Sequence, residues 1–144
     1  MDDREISKEL INFLIKLKRF GRANVSRYDD PNLTEQQFRT LINLKELKKT
    51  TLKDLSNNIH VSSSSLCIML NKMVEEDIVI READSKDRRN TFYSLTSKGL
   101  DFLENEIEKK LERVGEKISN LSLEEKEKLV EYINGISDII EKIK

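Results

Sequence analysis

Apolar residues along this chain recur mostly at helical spacing and in one stretch give way to β-branched and aromatic runs. Ile6, Leu10, Phe13, Leu17 and Phe20 fall four and three residues apart, the mark of a helix with one apolar seam. Gly21, then Asp29, Asp30 and Pro31, end it. Thr34 with Gln37 forms a capping box ahead of a helix whose buried face is Phe38, Leu41, Ile42 and Leu44. Thr51 and Asp54 repeat the device for a short helix with Leu52, Leu55 and Ile59 inward, stopping at His60 and Val61. Ser62 then caps a helix from Ser63 to Glu76 with core positions Leu66, Met69, Leu70 and Met73.

The next stretch changes character. Ile78 to Arg81 and Thr91 to Leu95 are the arms of a β-hairpin, and the residues between them are too many for a two-residue turn. Its tip carries Lys86, Asp87, Arg88 and Arg89, so the hairpin protrudes as a wing. Thr96 caps a long helix through about Ile118, with Leu100, Leu103, Ile107, Leu111, Val114 and Ile118 on one near-heptad stripe. Asn120 to Leu123 breaks the chain, Ser122 and Glu125 form another capping box, and a last helix carries Leu129, Ile133, Ile136, Ile140 and Ile143. The predicted fold class is mainly α with a small β-hairpin wing. Residues 34–99 form a winged helix-turn-helix domain, and 1–33 with 100–144 form a helical dimerisation region, whose apolar seams the small central domain cannot all cover.

Composition sharpens this picture. The chain has 144 residues, 37% of them charged and 37% apolar, with one proline and four glycines, which suits a helical protein with solvated faces and one compact core. Net charge is −1, which by itself offers no affinity for phosphates. The distribution helps: from Leu100 onward the chain carries about four net negative charges and the part before it about three net positive. A single cysteine excludes an intramolecular disulfide framework. The charged start resembles no signal peptide, and no apolar run reaches the length of a membrane span, so a soluble cytoplasmic protein is expected, without membrane association.

Helix, turn, helix and wing in succession form a DNA-reading module. Arg89 at the hairpin tip suits insertion into a minor groove, where narrow A·T-rich segments concentrate negative potential. Asp87, two residues earlier, lies on the same side and is placed to hold its guanidinium. Lys86 and Arg88 are candidate phosphate contacts. Ser62, Ser63, Ser64 and Ser65 open the recognition helix, where free N–H groups and the positive dipole end favour phosphates and short side chains admit a close approach. A cap followed by polar linker is the plainer reading of that run. Lys72 is either a phosphate contact or a solvated charge.

Catalytic chemistry finds little footing. No nucleophile elbow or phosphate-binding glycine loop is present, so no enzyme is expected. His60 is the only histidine and stands where a helix ends, a place that often needs positive φ; neither a zinc site nor any cofactor is expected. Cys67 reads as a buried, inert thiol.

Three fragments together resemble the MarR family (multiple antibiotic resistance regulators): LTEQQFRTL at Leu33 to Leu41, TLKDLSNNIHVSSSSL at Thr51 to Leu66, and the wing, where Arg81, Asp84, Asp87, Arg89, Leu95, Thr96 and Gly99 fall at the family's spacing. The resemblance implies a homodimer with intertwined terminal helices, recognition helices in successive major grooves of double-stranded DNA, and wings in neighbouring minor grooves. It also implies a small-molecule effector pocket between the dimer helices and the DNA-binding lobe, for which Phe20, Tyr28, Phe38 and Ile42 are candidate linings; core packing is the competing role for each. Two positions depart from the family pattern: Ile68 stands where many relatives have arginine, and Asp77 where they have glycine. The expected function is a ligand-responsive transcription regulator, a repressor on a palindromic operator. The alternative is a winged-helix module for protein–protein contact that binds no DNA.

Overall fold

The computed structural model describes residues 1–23 and 33–143. Among them are six helices and a three-stranded antiparallel sheet. The helix breakers Asp29, Asp30 and Pro31 lie outside the described residues. Two compact units emerge, one from helix α1 (Asp3–Ala23), the end of α5 (Ser97–Ile118) from Lys109 and α6 (Leu123–Lys142), the other from the elements between α1 and Glu108.

The second unit is built on local caps. Ahead of α2 (Glu35–Leu47) the predicted capping box is complete: Gln37 N–H donates to Thr34 Oγ1 at 3.2 Å and Thr34 N–H to Gln37 Oε1 at 2.7 Å. Thr51 Oγ1 accepts from Asp54 N–H at the start of α3 (Leu52–Ile59), and Ser62 Oγ from Ser65 N–H at the start of α4 (Ser63–Glu75). The turn between α3 and α4 is left-handed at His60 (φ 54°, ψ 47°), as the sequence suggested. Asp77, after α4, also has positive φ, which its short polar side chain tolerates at modest cost.

Strands β2 (Val79–Ala83) and β3 (Thr91–Leu95) pair from Val79↔Leu95 to Ala83↔Thr91 and make the wing. A further strand, β1 (Thr50–Thr51), joins the other edge of β3, giving the order β1-β3-β2. Two threonines between helices carry no period that a sequence reading can detect. The core sits beneath this sheet: Leu41, Leu44, Leu55, Leu66, Leu70 and Leu103 are fully buried, with Ile59, Met73, Ile78, Val79 and Tyr93 around them.

The first unit is otherwise made. Its helices show the predicted seams, and Ser122 and Glu125 complete the capping box that opens α6. Yet no residue of α6 is buried, and Ile6, Leu10, Phe13, Leu17, Ile133, Ile136, Ile140 and Ile143 are all exposed in the single chain. No helix among the described residues is long and apolar enough to cross a membrane.

Candidate nucleic-acid interface

Helix α4 turns Leu66, Leu70 and Met73 to the core and presents Ser64, Ser65, Ile68, Asn71 and Lys72 outward. Its entry is fixed by a hydroxyl network centred on Ser56, a residue the sequence reading passed over. Ser56 Oγ donates to Val61 O at 2.6 Å, Ser63 Oγ donates to Ser56 Oγ at 3.3 Å, and the His60 N–H closes on Ser56 O. Arg39 on α2 adds a bond to Ile59 O at 3.4 Å. The turn and the first residues of α4 are thereby one hydrogen-bonded piece. Ser62, Ser63, Ser64 and Ser65 are all exposed at its end, and the Ser62 hydroxyl donates to Ser65 Oγ at 3.0 Å.

The wing tip is equally ordered. Asp84 N–H donates to Asn90 O at 2.9 Å and Asn90 N–H to Asp87 O at 3.0 Å, so the loop folds back on itself. Asp84 Oδ1 accepts from Lys86 N–H, in the manner of Asx turns. Asp87 Oδ1 accepts both the backbone N–H of Arg89 at 3.1 Å and its Nε at 3.2 Å. The pairing of Asp87 with Arg89 expected from the sequence is present, although the arginine side chain remains 92% exposed. Such an exposed pair contributes little stability, but it restricts where the guanidinium points. Lys86 and Arg88 are exposed and take part in no ion pair among the described residues, while Lys72 lies 4.0 Å from Glu76.

Bonds between elements tie helix and wing together. Arg81 on β2 donates from Nη1 to Asn71 Oδ1 on α4 at 3.3 Å and also bonds Tyr93 on β3. Burial pushes the Tyr93 hydroxyl above the usual tyrosine range, the Cys67 thiol adds to this, and Arg81 opposes it. Cys67 is half-buried rather than buried, because its position faces the Asn71 and Tyr93 side of α4 instead of the leucine core. Near the loop end of the wing strands, Lys49 pairs with Glu82 at 2.9 Å and sits over the Phe92 ring.

Of the residues expected to line an effector pocket, Phe38 and Ile42 are partly buried against the core of the second unit. Phe20 is exposed on α1 in the first unit, with Lys117 Nζ 5.2 Å from its ring centroid. Tyr28 lies outside the described residues.

A capped helix entered through a tight turn, followed by an antiparallel wing, is the arrangement of a winged helix-turn-helix transcription regulator. Residues 33–91 match the model of the MarR family. Over these residues the protein is similar to that family, and its fold is MarR-like. The HTH-type transcriptional regulator MhqR of Bacillus subtilis (strain 168) is 29% identical over 104 residues, 72% of each chain. Among solved structures, a cysteine-to-serine mutant of MarR from E. coli complexed with operator DNA superposes with a TM-score of 0.66 at 20% identity, covering 94% of this chain and 99% of that one. NadR in complex with 4-hydroxyphenylacetate gives a TM-score of 0.61 at 26% identity, covering 93% of each.

Proposed function

We propose that this regulator is a homodimeric repressor that occupies a palindromic operator and is released by a small-molecule effector. The observation that carries the DNA half is the pairing, within one unit, of a recognition helix led by exposed serines with a wing whose tip holds Arg89 on Asp87 and leaves Lys86 and Arg88 without ion-pair partners among the described residues. In this reading Ser62, Ser63, Ser64 and Ser65 bring the N-terminus of α4 against the groove, Lys72, Lys86 and Arg88 neutralise phosphates, and Arg89, oriented by Asp87, enters the minor groove.

The homodimer is supported by the apolar faces of α1 and α6. Apolar surface so extensive is rare on a monomer and marks an interaction surface; closed twofold pairing is the commonest way to cover it. Twofold symmetry in turn requires a palindromic site. Effector release finds support in NadR, a similar fold solved with 4-hydroxyphenylacetate. For the pocket, packing of Phe38 and Ile42 against the core favours a structural role for both and leaves exposed Phe20 the better candidate among the described residues.

The test begins with operator fragments selected from the host's genomic DNA. Arg89→Ala should fold as the wild type and lose about tenfold or more in affinity, with a shallower salt dependence if the arginine also neutralises a phosphate. An Arg89→Ala variant that binds as tightly as the wild type overturns the wing assignment. A wild-type protein that stays monomeric at working concentration overturns the dimer.

A further inference from the structure

Ile68 is 73% exposed, in a protein whose other large apolar residues on α4 are buried or packed against the core. It lies two residues from both Leu66 and Leu70, which at about 100° per residue puts it roughly 160° from each. Ile68 therefore points away from the core, on the same side of α4 as Glu75 two turns later. Its neighbours on that face are Ser64, Ser65, Asn71 and Lys72, one turn before or after it. Two of these are small, and Asn71 already gives its oxygen to Arg81. Lys72 leans towards Glu76 at 4.0 Å. Thus the centre of the outward face is an aliphatic side chain, with hydroxyls and engaged polar groups around it.

From this we infer that Ile68 is a specificity-determining residue that reads the C5-methyl group of a thymine in each half-site. The inference rests on the proposed reading that α4 enters the major groove. There, thymine offers the only methyl group among the four base edges, while the remaining groups are hydrogen-bond donors and acceptors. An isoleucine pressed against a guanine or cytosine edge strips water from polar groups and returns no hydrogen bond, so those pairs are penalised. Against thymine it buries methyl on methyl. Because a β-branched side chain on a helix holds essentially one χ1 rotamer, the contact costs little side-chain entropy. The two symmetry-related copies of Ile68 then specify an A·T pair at mirrored positions of the operator.

The experiment is a uracil scan. Each thymine of a selected operator is replaced by deoxyuridine, which removes only the methyl group, and binding of wild type, Ile68→Ala and Ile68→Val is measured at fixed salt. The expected result is one mirrored pair of thymines whose substitution weakens the wild type by about fourfold per half-site, the factor for one methyl-sized group. Ile68→Ala binds the same operator but no longer distinguishes thymine from uracil there, and Ile68→Val retains part of the difference. The variants should fold, since Ile68 lies outside the core cluster. If wild type binds the operator but feels no uracil, or if Ile68→Ala stays equally sensitive, the thymine contact is wrong while DNA binding stands. If the wild type binds no duplex, the groove placement of α4 falls, and this inference with it.

Discussion

Replacing Gly99 with alanine should destabilise the protein, although the same change inside a helix is usually favourable. Gly99 is in the first turn of α5, where it faces the start of the wing. A Cβ at this position would lie 2.0 Å from the carbonyl oxygen of Ile78, 2.9 Å from its carbonyl carbon and 3.2 Å from its Cα. All three are backbone atoms, so no rotamer change relieves the clash, and the two segments must part by about 1.4 Å to restore ordinary contact. Three hydrogen bonds hold them, and a fourth closes the cap. Thr96 N–H donates to Ile78 O at 3.0 Å, Thr96 Oγ1–H donates to Ile78 O at 3.2 Å and to Asp77 O at 2.6 Å, and Gly99 N–H donates to Thr96 Oγ1 at 2.8 Å as the helix cap.

Separation by that distance removes the Thr96 bonds to Ile78 and disturbs the cap, at about 1 kcal/mol each. Alanine recovers up to about 1 kcal/mol of helix propensity. The net loss is about 2 kcal/mol, a fall in melting temperature of roughly 4 to 8 °C for a chain of this size. Gly115 and Gly135 supply the contrast, because both lie in helix interiors with nothing within 4 Å of an added Cβ; alanine there should stabilise by about 0.5 to 1 kcal/mol. Thermal and urea unfolding followed by circular dichroism, at one protein concentration, compares all three. A Gly99→Ala protein that melts at or above the wild-type temperature refutes the close approach.

Two further outcomes follow from backbone and cap geometry. Lys48 closes α2 at φ 61°, ψ −52°, a conformation costly for a side chain, so Lys48→Gly should raise the urea midpoint by the equivalent of about 1 kcal/mol; an unchanged or lower midpoint counts against it. The Glu125 carboxylate accepts the Ser122 N–H, first, and the Ser122 hydroxyl, and both hold it below the ordinary glutamate range. A lowered folded value means that its contribution is present at neutral pH and is lost as pH falls below the unfolded value and through the folded one. Side-chain NMR titration should show Glu125 protonating below the ordinary glutamate range; a midpoint within that range would show the cap to be absent in solution.

What was legible in the sequence was local. Thr34, Thr51, Ser62, Thr96 and Ser122 each cap the helix that follows, because a cap and its partners lie within three or four residues. The αL residues His60 and Asp77 and the Asp87–Arg89 pair are of the same kind. Contacts across elements were not legible. Ser56 looks like an ordinary serine on α3 until the turn brings the Val61 carbonyl and Ser63 to it. Arg81 carries a family spacing, but only the fold supplies Asn71 and Tyr93. Likewise, helical spacing marks Phe38 and Ile42 as inward without saying whether they meet the core or a ligand.

The joint at Gly99 also bears on how the recognition helix is held. The end of α4, the start of β2 and the first turn of α5 are pinned by the Thr96 bonds, by Ile78 N–H to Met73 O at 2.9 Å and by Lys98 Nζ to Glu76 O at 2.8 Å. The recognition helix is thus held rigidly on the beginning of α5. Because Ile78 and Gly99 meet backbone to backbone, with no flexible side chain between them, the end of α4, the start of β2 and the first turn of α5 form one joint within the second unit.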